Sequence, residues 1–318
     1  MTNDSNGASE TPEAAPPASP DWGRLFTAMI TPMHPDGSVH LERVADLARA
    51  LVASGTEGIV ITGTTGESPV LTRDEKLAIW ETAKEAAGPD VAVIAGATDN
   101  DTARSIELAM DAERLGLDGL LLTVPAYNKP PQAGLIAHFT AIADATALPG
   151  MLYNVPSRTA LNMTAETTLR LAEHPNIIGV KEASADLEQI AAIIDGAPEG
   201  FRVWSGNDAD TLGVMRLGGY GVVSVAAHLV GTRIREQIAA SVAGSDEAAE
   251  AIHDALTPLV DVLFIESNPI PTKFALNALG FDVWEARLPL VPASEAAAEA
   301  IRAELARHRI DLPVPAKA

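Results

Sequence analysis

The sequence predicts an α/β protein, namely a (β/α)8 TIM barrel followed by a C-terminal helical extension. Short apolar runs alternate with segments that carry helix start and stop signals. The runs are continuously apolar, which is typical of parallel strands covered on both faces. Strand–helix units repeated over this length favour a closed barrel. A doubly wound sheet is the main competitor, but no glycine-rich dinucleotide fingerprint follows the first run.

The predicted strands are spaced so that a helix can follow each of them. Their predicted bounds are 25–30, 58–62, 91–95, 119–124, 150–153, 177–180, 202–204 and 221–225. Thr72 and Glu75 form a capping box before one helix, which Gly88 ends. Gly116 and Gly196 end two further helices.

The sequence also predicts a division into three parts. Residues 1–20 are rich in Ser, Thr, Ala, Pro and acidic residues with little to bury, and we expect a disordered tail. This segment lacks the basic start and apolar core of a secretory signal. We expect residues 21–245 to form the barrel. Residues 246–318 form a C-terminal helical domain with predicted helices at 247–265, 271–279 and 294–308, which we expect to serve packing and assembly.

Composition narrows the class of protein. The 318 residues, 47% of them hydrophobic, are enough for one large barrel plus an appendage. A net charge of -21 argues against a nucleic-acid partner, which would need clustered Lys and Arg. No sustained transmembrane stretch occurs, so no membrane partner is expected. The absence of cysteine excludes disulfides and thiolate metal sites, and it is compatible with the predicted cytoplasmic location. The histidines do not have the spacing of metal ligands, so no metal site is expected.

The most informative residue is Lys181, which directly follows the apolar run at 177–180. Burial disfavours a charged amine and lowers its pKa, and a neutral amine can attack a ketone to form a Schiff base. A single lysine on a strand is more often structural. Thr64, Tyr127 and Tyr153 each follow an apolar run of their own, however. In a barrel all four lie at the carboxyl ends of strands, the face where such barrels do chemistry.

Two segments beside these residues suggest carboxylate binding. Residues 63–67 contain two glycines, and their successive N–H groups could hold a carboxylate, although a plain βα turn is the simpler interpretation. Tyr153 could pass protons during carbinolamine formation and collapse if a neighbouring hydroxyl relays them. Arg158 offers a planar fork suited to a carboxylate. A core tyrosine with a surface arginine is the alternative.

Four sequence strings together closely resemble the dihydrodipicolinate synthase and N-acetylneuraminate lyase family of pyruvate-dependent class I aldolases. They are GTTGES at 63–68, YNVPSRT at 153–159, IIGVKEAS at 177–184 and NPIPTK at 268–273. The likeness extends from about Leu25 to Leu290. Arg158 favours the branch that condenses pyruvate with L-aspartate 4-semialdehyde in lysine and diaminopimelate biosynthesis, because sialic-acid lyases and keto-deoxy-sugar aldolases usually lack that arginine.

The resemblance implies catalytic roles for the strand-end residues. Lys181 would form the Schiff base with pyruvate, and Tyr153 would act as proton donor and acceptor. Thr64 and Tyr127 would complete a hydroxyl relay, with Tyr127 reaching into the site of a neighbouring subunit. No metal or organic cofactor would be needed, because the lysine supplies the electron sink.

The resemblance also implies binding residues and an assembly. Thr65 would bind the pyruvate carboxylate, Arg158 the carboxylate of the semialdehyde, and the backbone carbonyl of Val223 would face the pyruvate end. The expected partners are therefore pyruvate, L-aspartate 4-semialdehyde and further copies of the chain, in a homotetramer built as a dimer of dimers.

One position departs from the family pattern. Ala126 stands where the family often has a tyrosine that packs across the tight dimer interface. Its effect on dimer strength stays open. The neighbouring pocket, which binds lysine in some relatives, is expected to hold Lys76, Asn100 and Arg104, with Arg104 in place of an acidic residue. Like charge would oppose a cationic ligand, which predicts weak or absent inhibition by lysine.

Two alternative functions remain at this stage. A 2-keto-3-deoxy-sugar-acid aldolase would use the same lysine chemistry with another aldehyde, so trapping of pyruvate alone would not separate it from the synthase. A non-catalytic barrel that binds a keto acid or a partner protein would form no imine.

Overall fold

The computed structural model describes Pro20 and residues 22–314, and it contains a closed barrel of eight parallel strands in sequential order. The predicted fold class is confirmed. The strands are β1 Leu25–Ala28, β2 Gly58–Ile61, β3 Ala92–Gly96, β4 Gly119–Thr123, β5 Gly150–Asn154, β6 Ile177–Glu182, β7 Arg202–Ser205 and β8 Gly221–Ser224. Each boundary lies within about two residues of its prediction, the accuracy expected at element ends.

Helices cover the outside of the barrel and form the C-terminal extension. They are α1 Leu41–Ala53, α2 Arg73–Ala87, α3 Thr102–Arg114, α4 Gln132–Asp144, α5 Pro156–Thr159, α6 Ala165–Ala172, α7 Leu187–Gly196, α8 Thr211–Arg216, α9 Ala227–Val242, α10 Asp246–Leu263, α11 Ile270–Ala278 and α12 Glu295–Leu305. Short 3-10 turns occupy Ser68–Val70 and Asp208–Asp210. The capping box of Thr72 and Glu75 is present at α2.

The extension shares its core with the barrel's helical layer. Helix α10 packs against α9, and α12 packs against α10 and α11. Leu259, Leu263, Leu276 and Ile301 belong to the same apolar cluster as the residues between strands and helices. The proposed boundary at residue 245 stays a prediction, and the predicted tail lies outside the described residues except for Pro20.

An aromatic plug, made of Trp22, Phe26, Trp204 and Tyr220, fills the amino-terminal end of the barrel. The ring of Phe26 on β1 lies 5.9 Å from Trp22 and 6.1 Å from Trp204 on β7. Gly58 and Gly119 make room for these rings, because a Cβ at either position would lie 2.2 Å from Phe26 or Trp22, respectively. The plug leaves the carboxyl end of the barrel as the open face.

We expect Trp22→Ala to lower the free energy of unfolding by about 3–5 kcal/mol, since it removes a buried ring from the plug. Denaturant unfolding measures the change. Trp284→Ala is the matched control, because that side chain is 42% exposed and its loss should cost under about 0.5 kcal/mol. Equal effects of the two substitutions would contradict the role of the plug.

Candidate active site

Lys181 and Tyr153 are neighbours on adjacent strands. They form a register pair between β6 and β5, so their side chains leave the sheet at the same level. Both side chains are buried, and Lys181 Nζ lies 4.4 Å from the centre of the Tyr153 ring. Parallel pairing thus brings together two residues that are far apart in sequence.

The burial of Lys181 changes its acid–base behaviour. Burial lowers the pKa of the amine to about 8, and the nearby charge of Arg158 acts in the same direction, whereas Asp208 opposes it. At pH 7 about a tenth of the side chain is therefore the free amine, against well under a thousandth for an exposed lysine. A free amine in such a buried position can act as a nucleophile.

The phenol of Tyr153 is held in its neutral form. Burial raises the pKa of its phenol to about 12, while the charge of Arg158 and a hydrogen bond with the Thr64 hydroxyl oppose the shift. Thr64 lies in the turn that follows β2 and is half-buried. The structure therefore brings together three of the four predicted catalytic side chains, namely Lys181, Tyr153 and Thr64.

The fourth predicted residue, Tyr127, stands apart. Its side chain is 92% exposed and its backbone has a φ of 70°. Neighbouring residues hold this turn, because Asn100 Oδ1 accepts a hydrogen bond from the Ala126 amide at 3.0 Å, and the Asn100 carbonyl accepts one from Asn128 at 3.3 Å. Within one chain the exposed side chain of Tyr127 thus contrasts with the buried phenol of Tyr153.

Asp208 is an ionisable residue of the site that was not predicted from the sequence. It lies in the turn after β7, is buried, and accepts hydrogen bonds from the Ser224 hydroxyl and from the amides of Val225 at 2.9 Å and Ala226 at 3.2 Å. Burial raises the pKa of Asp208, whereas these donors and the charge of Lys181 favour its ionised form. An acidic residue just after a strand end was the signal that could have revealed it.

Replacing Asp208 with Asn should lower the pKa of Lys181 below about 8, because it removes a negative charge that favours the ammonium form. We expect the midpoint of the pH profile for borohydride trapping of pyruvate to move down by about one pH unit. Asp210→Asn is the control, since Asp210 lies in the same turn but contacts Asn207 at 2.7 Å. An unchanged midpoint in the Asp208 variant would contradict the pairing.

The predicted substrate-binding residues lie around the same site. Thr65 is buried, and its hydroxyl accepts a hydrogen bond from Asn268 Nδ2 at 2.8 Å. Arg158 Nη2 donates to the carbonyl of Asn268 at 3.3 Å. Val223 lies on β8 beside Phe26 and belongs to the apolar cluster that includes Tyr153. Asn268 thus contacts both predicted carboxylate-binding residues, whereas the sequence indicated only the string 268–273 that contains it.

A cavity of about 530 Å³ opens at the carboxyl ends of β2 to β5. Thr64 and Arg158 line one part of it, and Lys76, Asp99 and Asn100 line another. A cavity of this size accommodates small organic acids. The open space therefore extends from the predicted carboxylate-binding arginine to a separate group of polar side chains.

The prediction that Arg104 shares the pocket with Lys76 and Asn100 is wrong. Its side chain is 71% exposed and its guanidinium lies 3.7 Å from Asp101, so it does not line the cavity. Asp99 lines the cavity instead. Burial lowers the pKa of Lys76, and the charge of Asp99 opposes that shift. The expected weak inhibition by lysine stays a prediction, but of the two cations on which it rests, Lys76 and Arg104, Lys76 is the one that lines the cavity.

Comparison with known proteins agrees with this geometry. The model of the dihydrodipicolinate synthetase family matches residues 21–308. The chain belongs to this family. Its relatives include the 4-hydroxy-tetrahydrodipicolinate synthases of Symbiobacterium thermophilum, 54% identical over 90% of this chain and 98% of the relative, and of Dehalococcoides mccartyi strain CBDB1, 51% identical over 92% and 99%.

Solved structures of family members share the fold along nearly their whole length. The enzyme of Cyanidioschyzon merolae with lysine bound has a TM-score of 0.88 and 46% identity, covering 90% of this chain and 97% of that one. The chloride-inhibited enzyme of Acinetobacter baumannii complexed with pyruvate has a TM-score of 0.87 and 37% identity, covering 92% and 99%. The resemblance seen in the four sequence strings is confirmed.

Two further findings concern possible partners of the described part of the chain. None of its helices combines the length and apolar character needed to cross a membrane. It also contains no group of three or more His, Cys, Asp or Glu side chains arranged to hold a metal ion.

Proposed function

We propose that this chain condenses pyruvate with L-aspartate 4-semialdehyde through a Schiff base on Lys181, the activity of a 4-hydroxy-tetrahydrodipicolinate synthase. The reaction belongs to lysine and diaminopimelate biosynthesis, and we place it in the cytoplasm. The observation that carries the proposal is the buried amine of Lys181 beside the neutral phenol of Tyr153. A nucleophile and a proton donor with these ionisation states are what imine formation requires.

The first half of the reaction forms the imine. The free amine of Lys181 attacks the ketone carbon of pyruvate, and Tyr153 donates a proton to the hydroxyl that leaves the carbinolamine as water. Thr64 relays the proton that restores the phenol. The nearby carboxylate of Asp208 stabilises the positive charge of the protonated imine. Thr65 holds the carboxylate of pyruvate, with the carbonyl of Val223 facing the same end.

The second half makes the carbon–carbon bond. The protonated imine withdraws electrons, so the methyl group of pyruvate passes a proton to the relay of Tyr153 and Thr64 and becomes the enamine carbon. That carbon attacks the aldehyde, whose oxygen takes up a proton. The amine of the second substrate then displaces Lys181 as the ring closes, which returns the free lysine. Arg158 binds the carboxylate of the semialdehyde through its planar fork.

The exposure of Tyr127 supports a site completed by a second subunit. Its phenol projects from the protein surface, next to the cavity wall formed by Ala126 and Asn100. We place it in the relay of the neighbouring protomer within a homotetramer that is a dimer of dimers. Mixing inactive Lys181→Ala and Tyr127→Phe chains should restore activity, since one site of each hybrid dimer is intact. Restoration would be absent if each chain used its own Tyr127.

The activity is tested by coupling product formation to a reductase that consumes NADPH. Enzyme, pyruvate and L-aspartate 4-semialdehyde should consume NADPH, and the Lys181→Ala variant should not. A lack of turnover, with pyruvate still trapped on the protein by borohydride, would reject the synthase in favour of an aldolase for sugar-derived aldehydes. A lack of both turnover and trapping would favour the non-catalytic barrel.

A further inference from the structure

We propose that the C-terminal extension is part of the substrate-binding apparatus, with Asn268 and Lys273 positioning the two carboxylate-binding groups of the barrel. Resting on the proposed function, this inference assigns to the segment 268–273 a role beyond packing. Asn268 orients Thr65 and Arg158 directly. Lys273 anchors the loop that carries Thr65.

Asn268 joins parts of the chain that are remote in sequence. Its Nδ2 donates to the Thr65 hydroxyl at 2.8 Å across 203 positions, and its carbonyl accepts from Arg158 across 110 positions. A threonine hydroxyl has only one proton to donate. Because Asn268 already donates to the oxygen of Thr65, the proton of that hydroxyl is left to point at an acceptor such as a substrate carboxylate.

Behind this contact lies a buried ion pair. Lys273 Nζ lies 2.5 Å from Glu67 Oε1, and both side chains are 1% exposed. The second oxygen of Glu67 accepts from the Arg287 amide at 2.8 Å, and Lys273 also donates to the Glu285 carbonyl at 3.0 Å. Burial lowers the pKa of Lys273, and the charge of Glu67 opposes that shift. Glu67 stands two positions after Thr65, so the pair anchors the same loop.

The energetics favour a positioning role for this pair. A buried ion pair often contributes little net stability, because the desolvation of both charges offsets their attraction. It does impose a defined geometry, however. The loop needs such an anchor, because the backbone of Glu67 is in the left-handed region with a φ of 58°, a conformation that non-glycine residues adopt at a cost.

The decisive experiment compares Asn268→Ala with the nearly isosteric Asn268→Asp. A carboxylate at position 268 would accept the Thr65 proton and repel the carboxylate of pyruvate. We expect the KM for pyruvate to rise about tenfold in N268A and about a hundredfold in N268D, with kcat changed less than about threefold. A merely structural asparagine would give the opposite order, because aspartate conserves the shape.

The ion pair is tested by a double-mutant cycle of Glu67→Gln and Lys273→Met. Each single variant should raise the KM for pyruvate about tenfold, and the double variant should be no worse than either. Lys84→Met is the control, because it removes an ammonium 2.7 Å from Asp118, a residue at the amino end of β4. It should alter thermal stability without altering KM. If the cycle variants fail to fold, the comparison at position 268 decides.

Borohydride trapping distinguishes a failure of this inference from a failure of the proposed function. The pyruvate concentration that gives half-maximal borohydride trapping at Lys181 is measured without any aldehyde. If the wild type traps pyruvate but does not condense it with the semialdehyde, the proposed substrate is wrong and trapping still tests the positioning role. If N268D had the same KM for pyruvate as the wild type, or needed the same pyruvate concentration for half-maximal trapping, the inference would be wrong.

Discussion

Replacing Lys181 with alanine is expected to lower kcat/KM by about 10⁴-fold or more, because the covalent intermediate cannot form. Borohydride with pyruvate should add mass to the wild type and leave the variant unchanged. Lys84→Ala is the control for loss of a partly buried lysine, since its partner Asp118 lies at the other end of the barrel. Residual trapping in the Lys181 variant would show that another amine carries the chemistry.

The same lysine predicts the direction of the pH dependence. Its pKa is lowered to about 8, and only the free amine attacks the ketone. At low pyruvate concentration, the trapping rate should therefore rise with pH and level off above about 8, instead of rising towards the ordinary lysine pKa of about 10.4. A rate that keeps rising tenfold per pH unit up to about pH 10 would contradict the assigned burial effect.

Replacing Tyr153 with phenylalanine is the second large expected effect. The ring that lies 4.4 Å from Lys181 Nζ is kept, so the loss reports on the proton of the phenol. We expect kcat to fall about 10²- to 10⁴-fold, the range for removal of a general acid–base group. Single-turnover trapping should slow as well, because collapse of the carbinolamine needs the same proton.

Tyr220→Phe is the matched control for that experiment. The phenol of Tyr220 donates to the carbonyl of Trp22 at 3.0 Å, in the aromatic plug at the other end of the barrel. Its loss should cost about 1 kcal/mol in the free energy of unfolding and leave kcat unchanged. An equal drop in kcat in both variants would mean that the phenol of Tyr153 serves packing and not proton transfer.

The strands were predictable because burial on both faces demands unbroken apolar runs, and such runs are visible locally. The same holds for Lys181, Tyr153 and Thr64, since a polar residue directly after an apolar run occupies the open end of a parallel barrel. Arg104 shows the limit of that reasoning. Sequence position suggested that it shared a pocket with Lys76, but the direction of its side chain on α3 turns it to the surface beside Asp101.

By itself, the sequence determined the barrel, the family and the position of the buried lysine, because each depends on local patterns of burial and on motifs of a few residues. Only the tertiary structure decided which groups surround that lysine. Asp208, in the turn after β7, acts through its charge on Lys181 of β6. Asn268 donates a hydrogen bond to Thr65, which lies 203 positions away in the sequence. Such contacts depend on the register of strand pairing and on the docking of the extension, and no local pattern encodes either.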